Sequence, residues 1–126
     1  GKYKNINFLG FKNPHKYYKK ASILVIPSIW QENFPYSISE AMSYGLCVIG
    51  SNLGGIPEMI KNKKTGILFK ANDEKDFNIK ISNLLKEPNK IKILGKNARN
   101  YVKKDLNWNK IMTRYEKIYA GLLNEN

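Results

Sequence analysis

Short apolar runs that stop abruptly, each answered by a helical stretch, constrain this chain more than any other feature. Ile23-Leu24-Val25-Ile26 is a run of the kind a buried parallel strand shows, and Pro27-Ser28 stops it. Cys47 to Gly50 and Gly66 to Phe69 repeat the pattern, and Asn5 to Leu9, closed by Gly10, reads as a fourth strand. Helical signals run from Pro14 to Ala21, from Pro35 to Tyr44 with Gly45 as the stop, and from Pro57 to Ile60 after the Gly54-Gly55 turn. Asp73 suits an N-cap for a helix whose Phe77, Ile81, Leu84 and Leu85 share one face. Pro88 opens another helix, with Ile91, Leu94, Ala98, Tyr101 and Val102 in register, and a last one carries Trp108, Ile111, Met112, Tyr115, Ile118 and Leu122. Strands alternating with helices imply an α/β fold with a parallel sheet and right-handed crossovers.

A length of 126 residues predicts one domain over 1–126. No stretch approaches the ~18 apolar residues of a membrane span, and the chain does not open on a signal-peptide pattern, so cytoplasm is the default expectation. Cys47 sits within an apolar run and reads as a small buried hydrophobe, with no disulfide or metal cluster to join. The net charge of +12 raises nucleic-acid binding as a function. Against it, the charge is mostly lysine spread along the chain, and Arg99 and Arg114 are the only arginines available for planar bidentate contacts. Attraction to anionic lipid is a second reading of the same charge. A solvated lysine surface is the simplest.

Chemistry concentrates between Ile26 and Glu40, in IPSIWQENFPYSISE. Glu32 falls in the loop at the carboxyl end of a strand, and Glu40, with seven residues between them, falls in the second turn of the following helix. Ligands of open α/β sheets collect at that edge, where helix N-termini aim free N–H groups and a positive dipole at phosphate. Alone, each glutamate reads more simply as a solvated acid. In sequence order, however, come Glu32 and Glu40, Ala41-Met42, Gly45, Gly54-Gly55-Ile56-Pro57-Glu58 and Thr65-Gly66-Ile67-Leu68. On these motifs the chain resembles the C-terminal, donor-binding domain of a family 4 glycosyltransferase, a retaining enzyme of the two-domain GT-B fold with a Rossmann-like parallel sheet.

The resemblance implies that Glu32 approaches hydroxyls of the donor sugar and is the catalytic candidate. Glu40 would accept hydrogen bonds from the 2′ and 3′ hydroxyls of the nucleotide ribose, for which two carboxylate oxygens are suited. Along Asn33, Phe34, Pro35, Tyr36 and Ser37, backbone N–H groups would meet sugar and diphosphate. Many relatives have glycine where Pro35 stands, and proline can pack there but cannot donate. Gly54 and Gly55 match a loop beside the sugar, where bare backbone permits close approach; a plain tight turn is the other reading. Glu58 reads as a cap of its short helix, Phe11 as a neighbour of the base, and His15, the only histidine, as a surface residue.

The implied reaction is transfer of a sugar from a nucleoside diphosphate sugar to an acceptor hydroxyl, with retention. Helix N-terminal amides would stabilise charge on the departing diphosphate, so neither metal nor other cofactor is expected. A covalent carboxylate intermediate is the alternative route. The expected partners are the donor, an N-terminal acceptor-binding domain of the same enzyme and peripheral contact with the inner membrane face, in polysaccharide or glycolipid synthesis, with no nucleic acid. Two strand-helix units that normally open such a domain, one bringing a basic pair for the phosphates, are absent, and the usual order 3-2-1-4-5-6 sets them between Asn5–Leu9 and Ile23–Ile26. This predicts a fragment in which the strands close up or another chain fills the gap. Two other classes stay open: a nucleotide-sugar-binding module without catalysis, and a basic domain that shifts on an oligonucleotide in a salt-dependent way.

Overall fold

The computed structural model describes residues 3–124. Its sheet has three parallel strands, β1 (Ile23–Ile26), β2 (Cys47–Ser51) and β3 (Gly66–Phe69), in the order β1-β2-β3. Ile23 pairs with Cys47, and Val48 with Gly66. The helices are α1 (His15–Tyr18), α2 (Tyr36–Ser43), α3 (Ile56–Met59), α4 (Glu74–Leu85), α5 (Pro88–Asp105) and α6 (Trp108–Asn124).

Strand alternation decides what each face buries. Val48 packs with Ile38, Ala41 and Met42 of α2 and Ile56 and Met59 of α3, while Cys47 packs with Leu84 of α4 and Leu94 of α5. All five residues of β2 are buried, as a central parallel strand covered on both faces requires. Each fully buried aliphatic side chain contributes roughly 1.5–3 kcal/mol. Leu94 and Ala98 tie α5 into both clusters.

Asn5–Leu9 is not a strand. Its side chains are exposed, Phe8 at 93%, because the sheet offers this segment no neighbouring strand and backbone groups without a ladder partner are better left in water. Among the described residues the sheet neither closes up around it nor gains a fourth strand. Leu85 also departs from expectation: Leu84 is buried, but Leu85, one residue on and rotated about 100°, is 59% exposed. The apolar stripe of α6 exists as read, yet Trp108, Tyr115, Ile118 and Leu122 remain largely exposed. α1 is shorter than expected, although Lys20 and Ala21 still bond back to the Tyr17 carbonyl. Among the described residues no helix is long and apolar enough to cross a membrane.

Burial pushes the Cys47 thiol up to about 11 from about 9. The folded chain therefore keeps this proton where the unfolded chain loses it, so stability falls as pH rises from about 9 toward 11. Cys47 should resist Ellman's reagent in the native state at pH 8 and react fully in denaturant; equal rates in both would contradict its burial.

Candidate functional site at the carboxyl edge of the sheet

Parallel strands put all three carboxyl ends on one edge, and side-chain hydrogen bonds fix the loops there. The buried Ser51 hydroxyl, at the end of β2, donates to the Ser28 carbonyl at 2.8 Å, tying the loop after β1 to its neighbour. Asn52 N–H extends the β2–β3 pairing to the Phe69 carbonyl, and its side-chain oxygen accepts from Ala71 N–H at 3.0 Å.

Glu32 lies in the anchored loop between β1 and α2, half-buried. Its Oε1 accepts from the Trp30 indole N–H at 2.9 Å and from the Ser28 hydroxyl at 3.1 Å. Its carbonyl accepts from Gly55 N–H at 2.6 Å, which brings the Gly54-Gly55 turn against the Glu32 loop. Gly54 has a φ of +57°, and a Cβ there would stand 2.5 Å from the Glu32 carbonyl oxygen. At Gly55 a Cβ would fall onto the Asn33 carbonyl. The bare backbone thus serves contact between two loops of the chain itself.

Pro35 is the N-cap of α2 with extended backbone, one position before the first helical residue, and its carbonyl accepts from Ile38 N–H at 2.9 Å. Helix geometry leaves the N–H groups of Tyr36 and Ser37 without an intrahelical acceptor. Phe34 and Tyr36 stack edge to face, 5.8 Å between centroids, and both side chains are exposed. At the far end, Gly45 at φ +82° and the bonds Gly45 N–H to Met42 and Leu46 N–H to Ala41 close α2 in a Schellman turn. The intervening residues bury Ile38, Ala41 and Met42, which leaves Glu40 half-buried beside the core.

Tyr18 of α1 packs into that core and lies 5.7 Å from Tyr44, one turn beyond Glu40. Its phenol pKa is raised, first by burial and then by the charge and hydrogen bonding of Glu40. His15 is exposed, its Nδ1 3.2 Å from the Tyr44 hydroxyl. Glu58 is exposed in the first turn of α3, and that helix has no side-chain cap, so Glu58 does not cap it; a carboxylate already inside the first turn sits past the N-cap position. Phe11 is fully exposed. A cleft lined by Pro27, Ile29, Phe69, Asp73, Glu74 and Phe77 opens at the same edge but includes neither Glu32 nor Glu40. Among the described residues, no three His, Cys, Asp or Glu side chains gather as a metal would need.

Their residue types alone do not mark Trp30, Ser28 and Tyr18 as site residues. The nearest signal is the run Ser28, Trp30, Glu32 at alternate positions, which in a loop of unknown path does not say that the side chains meet.

A parallel α/β sheet flanked by helices, with loops gathered at its carboxyl edge, defines a Rossmann-like class of domain. Within that class the chain belongs to the family described as glycosyl transferases group 1, whose model matches residues 1–101. It is 32% identical over 123 residues to the UDP-Gal:alpha-D-GlcNAc-diphosphoundecaprenol alpha-1,3-galactosyltransferase of Escherichia coli, covering 95% of this chain and 31% of the relative. The solved sucrose-phosphate synthase of Thermosynechococcus elongatus superposes with a TM-score of 0.77 at 32% identity, covering 87% of this chain and 27% of that one. Anabaena HepE, solved with UDP and glucose, superposes at 0.80 with 20% identity over 96% of this chain and 32% of its own, a likeness of fold. The chain spans less than a third of the length of each of these proteins.

Proposed function

We propose that residues 1–126 are part of the donor-binding domain of a retaining glycosyltransferase that moves a sugar from a nucleoside diphosphate sugar to an acceptor hydroxyl. The observation that carries this is the grouping, in a chain of this family, of Glu32 and the first turn of α2 at the carboxyl edge of the sheet, with Glu40 on the same helix. Glu32 orients the donor sugar as it gains oxocarbenium character. Glu40 accepts from the ribose hydroxyls. The N–H groups of Asn33, Phe34, Tyr36 and Ser37 take diphosphate and sugar, Pro35 packs, and Gly54 and Gly55 hold the loop that carries Glu32. Amides and a helix dipole can stabilise the leaving diphosphate without a metal.

In this reading an acceptor-binding domain of the same protein completes the cleft. The enzyme works in the cytoplasm, peripherally at the inner membrane face, in the making of a surface polysaccharide or glycolipid. UDP-galactose, the donor in the name of the E. coli relative, is the first nucleotide sugar to screen. The full-length protein should transfer sugar from a nucleotide sugar with retained anomeric configuration, whereas the 126-residue chain should bind nucleotide weakly and turn over nothing. Binding without turnover by the full-length protein, across a panel of donors and acceptors, would favour a module without catalysis.

A further inference from the structure

Both protein donors to the Glu32 side chain fall on one oxygen. Oε1 takes the Trp30 indole N–H at 2.9 Å and the Ser28 hydroxyl at 3.1 Å, and no described residue donates to Oε2. A carboxylate oxygen has two lone pairs, so two donors saturate Oε1 and leave Oε2 as the acceptor for an incoming hydroxyl. The clamp is held from below. Ser28 is buried, and its carbonyl is pinned by Ser51. The Glu32 backbone is pinned by Gly55.

Resting on the donor-binding reading above, we propose that Trp30 and Ser28 are positioning residues for sugar transfer, locking Glu32 so that Oε2 alone meets the donor sugar. A free glutamate has three side-chain torsions to order on binding; one already held by two hydrogen bonds and a backbone contact has little left to lose. Trp30 is suited to this because its indole N–H is a donor only and cannot pair with the carboxylate in any other sense. Trp30 is 62% exposed, so exchange for phenylalanine removes the N–H with little change in packing.

The test is a double-mutant cycle in the full-length enzyme, with the nucleotide sugar that the donor screen returns and with UDP. Trp30→Phe and Ser28→Ala should each lower kcat by about ten-fold, a modest share of what misplacing a reacting group costs, and the pair by more, while UDP affinity stays unchanged. In a Glu32→Ala background, Trp30→Phe should have no further effect, because its only path to the reaction has been removed. Normal kcat in Trp30→Phe and Ser28→Ala beside a damaged Glu32→Ala overturns the positioning role alone. An undiminished Trp30→Phe effect in the Glu32→Ala background also overturns it, since the indole then acts elsewhere. Normal turnover in Glu32→Ala overturns the functional reading and this inference together.

Discussion

Replacing Glu40 by alanine in the full-length enzyme should weaken donor and free nucleoside diphosphate alike, by about 1.5–3 kcal/mol, the range for hydrogen bonds to a charged group. In the proposed role the contact belongs to the ribose, which both ligands carry. Glu32→Ala should leave nucleoside diphosphate affinity nearly unchanged and lower turnover, because its contact is with a sugar that the product nucleotide lacks. Calorimetry with the diphosphate, set beside steady-state rates, separates the two. Equal loss of diphosphate affinity in both variants would remove the assigned roles.

Gly55→Ala should damage fold and site together. The added Cβ meets the Asn33 carbonyl, which is backbone and cannot swing aside, so the Gly54-Gly55 turn must leave the Glu32 loop. Overpacking of this kind costs about 1–3 kcal/mol, and the 2.6 Å bond from Gly55 N–H to the Glu32 carbonyl is lost with it. Gly121→Ala is the control. A Cβ there meets nothing within 4 Å, and α6 gains helix propensity, so stability should rise by up to about 1 kcal/mol. Urea denaturation of the two variants should move in opposite directions; a Gly55→Ala midpoint equal to the parent's would contradict the loop contact.

The elements that could be read from sequence are those whose signal is local. Apolar runs cut by Pro27, Gly45 and Gly54-Gly55 delimit β1, α2, β2 and α3, and Asp73 accepts from Asp76 N–H at 2.9 Å as an N-cap should. Asn5–Leu9 fails because a strand is a relation between two segments, and its own residues carry no record of whether a neighbour is present. The α6 stripe of Trp108, Tyr115, Ile118 and Leu122 has the same limit, since periodicity marks an apolar face without stating what covers it.

At the site, the spacing of Glu32 and Glu40 sets both residues on the right elements, while proline chemistry starts the helix at Pro35, one residue before the observed Tyr36, because Pro35 takes the N-cap with extended backbone. What stayed hidden was how Glu32 is held. Gly54-Gly55 lies far along the chain from Glu32, and its packing against that loop depends on the sheet register that brings β1 and β2 together. The sequence left the glycines between ligand approach and a tight turn; in the structure they make a loop-to-loop contact.

Nucleotide binding at the start of α2 is checked by titrating the isotopically labelled chain with UDP, GDP and ADP and following backbone amide resonances. The largest shifts should fall on Phe34, Tyr36, Ser37 and Glu40 for whichever nucleotide binds, with Gly54 and Gly55 following. Shifts confined to the lysine-bearing helices α5 and α6, with the Phe34–Glu40 amides unmoved, would contradict it.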